Sequence, residues 1–193
     1  MARPRKDSNI VATEKIEKAL WVLLREEKYS NITVQKLADK AGVNRNAIYY
    51  HYENIDDVAK NALLHYMQSG VIEQFMHMVM HDLVNDESAV IDENFFQGVR
   101  KLQSCINSGS IYLRELLIEE IKRQWFKKLH IEEEKLLKSE AVSIEFAIGG
   151  IIAVLGSEEM VENPLLIREL IETDIVKVSF DSLQKVAKEM ESR

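Results

Sequence analysis

ITVQKLADKAGVNRNAIYYHYENIDDV, residues 32–58, carries the densest local signals in the 193-residue chain. Val34, Leu37, Ala38 and Ala41 fall at i, i+3, i+4 and i+7, the spacing of one helix face, which predicts a short helix from Thr33 to Ala41. Thr33 stands where a hydroxyl caps the first turn. Gly42 can take the left-handed conformation that ends a helix, letting Val43 tuck inward. Asn44 then caps a third helix that runs to about Tyr52. Glu53-Asn54 separates it from a fourth helix starting near Ile55, where Asp56 and Asp57 suit the positive end of the helix dipole.

Helix, glycine turn, helix is the plan of the helix-turn-helix, whose second helix enters the DNA major groove. At about 100° per residue, Ile48 and Tyr52 point together towards a core with Val43, and Asn46 and Tyr50 point the opposite way. Arg45, Ala47 and Tyr49 lie on the flanks. The chemistry of that outer face suits a duplex: Arg45 for guanine, Asn46 for adenine, Ala47 for a thymine methyl. The hydroxyls of Tyr49, Tyr50 and Thr33 suit phosphate oxygens. The same spacing also fits three short helices that do no more than cap a larger bundle.

Outward from this stretch, residues 1–7 (MARPRKD) form a basic arm, in which Arg3, Arg5 and Lys6 can add salt-dependent affinity in a minor groove. A first helix is expected from about Ser8 to Lys28, with Ile16, Ala19, Leu20 and Leu23 on one face. The fourth helix is expected to continue to about Val84, followed by an acidic loop over Asn85–Asp92. Further helices are expected over about Glu93–Asn107, Ser110–His130, Glu132–Glu158 (with a possible break) and Pro164–Glu191. Prolines stand only at 4 and 164, and sheet-rich folds need more turn punctuation than that. The expected fold is all-α: an arm over 1–7, a three-helix DNA-binding head over 8–54, and a helical bundle over 55–193, the part that the family resemblance given below assigns to ligand binding and dimerisation.

The net charge of −7 argues at first against a nucleic-acid partner, but its distribution matters more. Residues 1–66 hold 11 Lys+Arg against 9 Asp+Glu, and the remainder holds 14 against 23. A mildly basic head on an acidic body suits a protein that touches DNA at one end. The one cysteine, Cys105, excludes an internal disulfide framework and reads as a small buried hydrophobe. No stretch has the look of a secretory signal, and the longest uncharged apolar run, Phe146–Ser157, is too short to span a bilayer. A cytoplasmic protein without membrane contact is expected.

In the body, Val142–Leu155 is apolar around much of its circumference, with Gly149-Gly150 permitting close helix approach. The last helix presents Leu166, Ile167, Leu170, Ile171, Phe180, Leu183 and Val186 at helical spacings. Two such helices from each of two subunits build a four-helix contact, with Phe146, Gly150, Ile151, Leu170 and Val178 as candidate interface residues. The same faces can equally pack within one subunit. Phe75, Met78, Phe96, Tyr112 and Trp125 are candidates for lining a small-molecule pocket, although such residues also line ordinary cores. His77 and His81 lie one turn apart and His65 precedes them. Without an assured third ligand they read as solvated side chains, and no metal or cofactor is expected. Glu132-Glu133-Glu134 and Glu158-Glu159 read as solvent-facing charge.

Thr33, Leu37-Ala38, Ala41-Gly42-Val43, Asn44 and Ile48-Tyr49-Tyr50-His51-Tyr52 together closely resemble the N-terminal module of the TetR family of transcriptional regulators. The resemblance implies a repressor-like dimer whose C-terminal helices enclose a ligand pocket and form the subunit contact. It places Thr33, Tyr49 and His51 on the phosphate side, and Arg45, Asn46, Ala47 and Tyr50 at sequence-reading positions. Two positions depart from the family pattern. Ile55 stands where a phosphate-holding lysine is common, and Glu53 where a neutral or basic residue is usual. The implied function is a ligand-responsive regulator that binds a palindromic operator on double-stranded DNA. A TetR-like protein acting through a protein partner, its DNA head weakened, is the second reading. No phosphate-binding glycine loop, nucleophile elbow or paired catalytic carboxylates can be placed, so an enzyme is not expected.

Overall fold

The computed structural model describes residues 6–68, 70–80 and 93–192, with side chains described throughout except at 6–10, 71, 78–80 and 191. Among these residues there are helices and no strands, so the fold is all-α. The chain divides into two compact units: Met1–Tyr66 together with Ser104–Leu116, and Met67–Gln103 together with Leu117–Arg193.

The N-terminal unit is built on α1 (Lys6–Glu26), α2 (Val34–Ala41), α3 (Arg45–His51) and α4 (Ile55–Met67). The first helix begins at Lys6, so Lys6 and Asp7, expected in the arm, have helical backbone. It stops at Glu26, and a 3-10 turn over Tyr29–Asn31 follows. Ile16, Leu20, Leu23 and Leu24 of α1 are buried with Leu37 and Ala38 of α2, Ile48 of α3, and Val58, Ala62 and Leu63 of α4. Trp21 meets Tyr66 edge-on at 5.7 Å between ring centres. The Tyr29 backbone N–H donates to the Ser108 carbonyl at 2.9 Å, which ties the α1–α2 connection to the Ser104–Leu116 segment of the same unit.

The turn between α2 and α3 is set by glycine chemistry. Gly42 sits at φ 64° and ψ 36°. Its N–H donates to the Asp39 carbonyl at 3.2 Å, and the Val43 N–H reaches back to the Ala38 carbonyl at 3.0 Å. This is the Schellman pattern, which satisfies carbonyls left open at a helix end. A Cβ added at Gly42 would meet nothing within 4 Å, so the penalty of a side chain there is purely conformational. Gly42→Ala is therefore expected to lower the unfolding free energy by ~1–2 kcal/mol in a urea titration, through backbone strain alone.

The second unit contains α5 (Val71–Met80), most of α6 (Glu93–Ile106) and α7 (Ile111–Leu129), then α8 (Lys138–Leu155), α9 (Glu158–Glu162), α10 (Leu166–Glu172) and α11 (Asp174–Glu191). Phe180 of α11 packs at a tilt against Trp125 of α7, with 5.0 Å between ring centres, and meets Phe75 of α5 edge-on at 6.1 Å. Around these rings lie Ile144, Ile148 and Ile152 of α8 and Ile167 and Ile171 of α10, all buried. The buried amide of Gln103 donates to the Met160 carbonyl at 3.1 Å, holding α9 against α6 within this unit.

Three expected helices are divided. The fourth, expected to reach Val84, ends at Met67, because Gly70 takes φ 83° and stops it before α5. The expected helix over Glu132–Glu158 is confined to Lys138–Leu155, preceded by a 3-10 turn over Glu133–Lys135. Ser157 then caps α9 by accepting the Met160 N–H at 3.3 Å. The last helix starts at Leu166 and breaks at Thr173, whose extended backbone lets its hydroxyl donate to the Leu170 carbonyl at 2.7 Å. Hydrophobic spacing continues through all three breaks, so periodicity alone reads across them. The acidic loop expected at Asn85–Asp92 and residues 1–5 lie outside the described residues. None of the described helices is long and apolar enough to cross a membrane.

Candidate nucleic-acid interface

Asn44 begins α3 in extended conformation, and its side-chain oxygen accepts the Asn46 N–H at 2.8 Å. That cap sets the rotation of the seven residues that follow. Ile48 turns fully inward, and Tyr52 is buried at the helix end. Arg45, Asn46, Tyr49 and Tyr50 are exposed, with Tyr49 at 48% and Tyr50 at 67%. Ala47, His51 and Val43 are half-buried. The outer face of α3 thus offers a guanidinium, an amide and two phenols.

Two of these side chains act as one unit. The Arg45 guanidinium donates to the Tyr49 hydroxyl at 2.9 Å and lies over the Tyr49 ring, 5.4 Å from its centre. Arg45 is thereby held against the helix, one turn from Tyr49. The Tyr49 hydroxyl accepts this bond and keeps its own proton for another acceptor. Tyr50 meets the His51 ring edge-on at 4.9 Å.

Thr33 caps α2, its hydroxyl oxygen accepting the Lys36 N–H at 3.2 Å, and it is exposed. Lys36 is engaged with Glu27, just past the end of α1, at 2.6 Å, and Lys40 with Glu26 of α1 at 2.8 Å. Glu53, exposed, donates its backbone N–H to Asp57 at 3.1 Å, and Ile55 is half-buried at the start of α4. Arg3 and Arg5, expected to contact DNA from the arm, lie outside the described residues, as does the Lys6 side chain.

Behind α3 lies an arrangement that sequence reasoning missed. The Tyr52 hydroxyl donates to Glu17 of α1 at 2.8 Å, and His65 Nδ1 of α4 meets the same carboxylate at 2.9 Å. Burial, and then the Glu17 carboxylate, push the Tyr52 hydroxyl well above the usual phenol range. It stays protonated and keeps donating at any physiological pH. Tyr29 likewise donates to Asp56 at the start of α4, and burial together with that carboxylate raises its hydroxyl too. These bonds join α1, α3 and α4, and they span 27 to 48 residues of sequence. The only local hint was an acidic residue, Glu17, beside the apolar face of α1. His65, weighed above as a metal candidate, is thus engaged with a carboxylate. Among the described residues no three His, Cys, Asp or Glu side chains gather as a metal site, and His81 lies outside them.

In the second unit, Phe75 and Trp125 are buried, and Phe96 is half-buried. A small cavity of about 20 Å³ is lined by Phe75 and Phe95, among other apolar residues, and Phe96 does not line it. The Met78 side chain lies outside the described residues. Tyr112 belongs to the N-terminal unit and is exposed, because the first residues of α7 are part of that unit. Of the candidate interface residues, Phe146 and Val178 are strongly exposed, Gly150 is exposed and Leu170 half-buried. Ile151 turns inward to line the cavity. Cys105 is buried, and burial raises its thiol to about 12, so it stays neutral.

Residues 16–66 match the family model of the bacterial regulatory proteins, tetR family. No curated protein matches the chain. The match ends at Tyr66, where the first segment of the N-terminal unit also ends. A capped recognition helix with an outward polar face inside that match makes the chain a DNA-binding helix-turn-helix transcription regulator whose residues 16–66 are similar to the DNA-binding module of the tetR family of bacterial regulatory proteins.

Proposed function

We propose that the protein is a cytoplasmic homodimeric repressor that binds a palindromic operator and releases it when a small molecule enters the C-terminal unit. The observation that carries the DNA half of this reading is the outer face of α3, where Arg45, Asn46, Tyr49 and Tyr50 stand exposed on a buried Ile48–Tyr52 seam. In this reading Arg45, Asn46, Ala47 and Tyr50 read base edges. Thr33, Tyr49, His51 and the backbone at Asn44 meet phosphates, and Arg3, Arg5 and Lys6 add arm contacts.

The dimer half rests on an uncovered apolar face. Val142 and Phe146 of α8 are 69% and 75% exposed, and Ile175 and Val178 of α11 are 68% and 60% exposed. Between these helices runs a groove of about 430 Å³, floored by Ile144, Ala147 and Leu183. Its polar residues are already satisfied: Ser143, Ser179 and Ser182 each donate to a carbonyl one turn back, at 2.9, 2.7 and 2.8 Å. Such a face behaves as hydrocarbon, and a contiguous apolar patch of this kind marks an interaction surface. A two-fold mate supplies a matching surface.

The test is selection of bound duplexes from a random pool, repeated with a set of metabolites. Two half-sites in inverted repeat, about 34–36 Å apart or a multiple of that, are the expected product, and at least one metabolite is expected to reduce retention. Absence of any enriched sequence would favour the second reading, a regulator working through a protein partner. Ile55, where a phosphate-holding lysine is common, and the exposed carboxylate of Glu53 are the features that speak for it.

A further inference from the structure

We propose that the effector of the C-terminal unit is an uncharged, largely apolar molecule with one hydrogen-bond acceptor, received by the indole N–H of Trp125. This rests on the reading above that the unit takes an effector, and it adds the chemical class. Trp125 is 2% exposed, and its Nε1 has no hydrogen-bond partner. A buried indole N–H ordinarily finds an acceptor, and one left without costs about 1–3 kcal/mol. The donor is therefore held ready at a stability cost, in the interior of a unit whose buried Gln103, Glu120 and Glu140 side chains are all hydrogen-bonded.

The same unit holds a cavity that would take the rest of the ligand, although Trp125 itself is not among the residues that line it. Ile121, one turn before Trp125 on α7, lines it, and Phe75 lines it from α5. Phe180 bridges the two rings, at 5.0 Å to Trp125 and 6.1 Å to Phe75. Phe95, Val99 and Leu155 add further hydrocarbon wall, and no lining residue is polar or charged. A charged ligand would enter unpaired, at a cost of several kcal/mol. At about 20 Å³ the cavity has room for little more than one water, and with no polar partner it stays dry. An effector must part α5, α6 and α7 to enter, so occupation and rearrangement of the unit are one event.

Matched ketone and hydrocarbon pairs test the inference on the full chain: acetophenone with ethylbenzene, 2-acetylnaphthalene with 2-ethylnaphthalene, and 2-nonanone with nonane, plus 2-naphthoate as the charged member. Binding is read by titration and by the indole 1H–15N resonances, of which the chain has two, Trp21 and Trp125. At least one ketone is expected to bind about tenfold more tightly than its hydrocarbon mate, equal to ~1.4 kcal/mol. That ketone should shift the Trp125 indole proton downfield, and 2-naphthoate should not bind. In Trp125→Phe the ketone preference should vanish with hydrocarbon affinity retained, and the wild-type indole shift provides the same information should that variant fold poorly. Equal affinity within every pair, or a ketone preference surviving in Trp125→Phe, would overturn the acceptor rule and leave the effector site standing. Binding by no member of any pair would remove the effector reading of this cavity as well.

Discussion

Arg45→Ala is expected to lower affinity for the selected operator by about 10–100-fold, the equivalent of ~1–3 kcal/mol for a bidentate base contact, and to relax preference at the base it reads. The fold should be unaffected, because Arg45 is exposed and its hydrogen bond is made to Tyr49 on its own helix. Tyr49→Phe should weaken binding more evenly across sequences, since in the proposed reading its hydroxyl meets a phosphate rather than a base. The same hydroxyl also holds the guanidinium at 2.9 Å, so the two changes should not add. In a double-mutant cycle the pair is expected to cost less than the sum of the single changes. Unchanged retention in gel shifts for both single variants would mean that α3 does not face the duplex.

Phe146→Asp is expected to convert the proposed dimer into a 22.3 kDa monomer and to reduce full-operator affinity to that of a half-site. In the proposed dimer, two-fold symmetry places the new carboxylate in the contact twice, and an unpaired charge buried there costs several kcal/mol each time. In the single chain the side chain is 75% exposed, so the substitution should leave helicity and monomer stability nearly unchanged. Val178→Asp on α11 should act alike. Sedimentation equilibrium decides the matter: a dimer persisting at micromolar concentration in both variants would locate the subunit contact elsewhere. Loss of tight operator binding in a folded monomer would in turn show that the two heads act together.

The reading of residues 32–58 needed little beyond nearest neighbours. The Thr33 cap, the left-handed Gly42, the Asn44 cap and the inward Ile48–Tyr52 seam all involve groups within a few residues of one another. Such interactions have the same strength wherever the segment sits, so they are written in the local chain. Gly70 was equally local, yet the unbroken apolar pattern around it concealed the break between α4 and α5. Glycine within a helical pattern permits a stop without requiring one.

What the amino-acid order determined by itself was the helical class, the recognition helix and which of its side chains face away from the core. Tertiary structure alone decided which side of α8 is wet: the helix is apolar nearly all round, so its own sequence ranks Ile151 and Phe146 alike, and only packing on its neighbours turns one inward and leaves the other bare. It also decided that Glu17 should join Tyr52 and His65, that Tyr112 should fall in the N-terminal unit, and that the Trp125 indole should be buried without an acceptor. The physical reason is range. Caps and turns act over about four residues, whereas burial is a property of the surfaces that distant parts of the chain bring together.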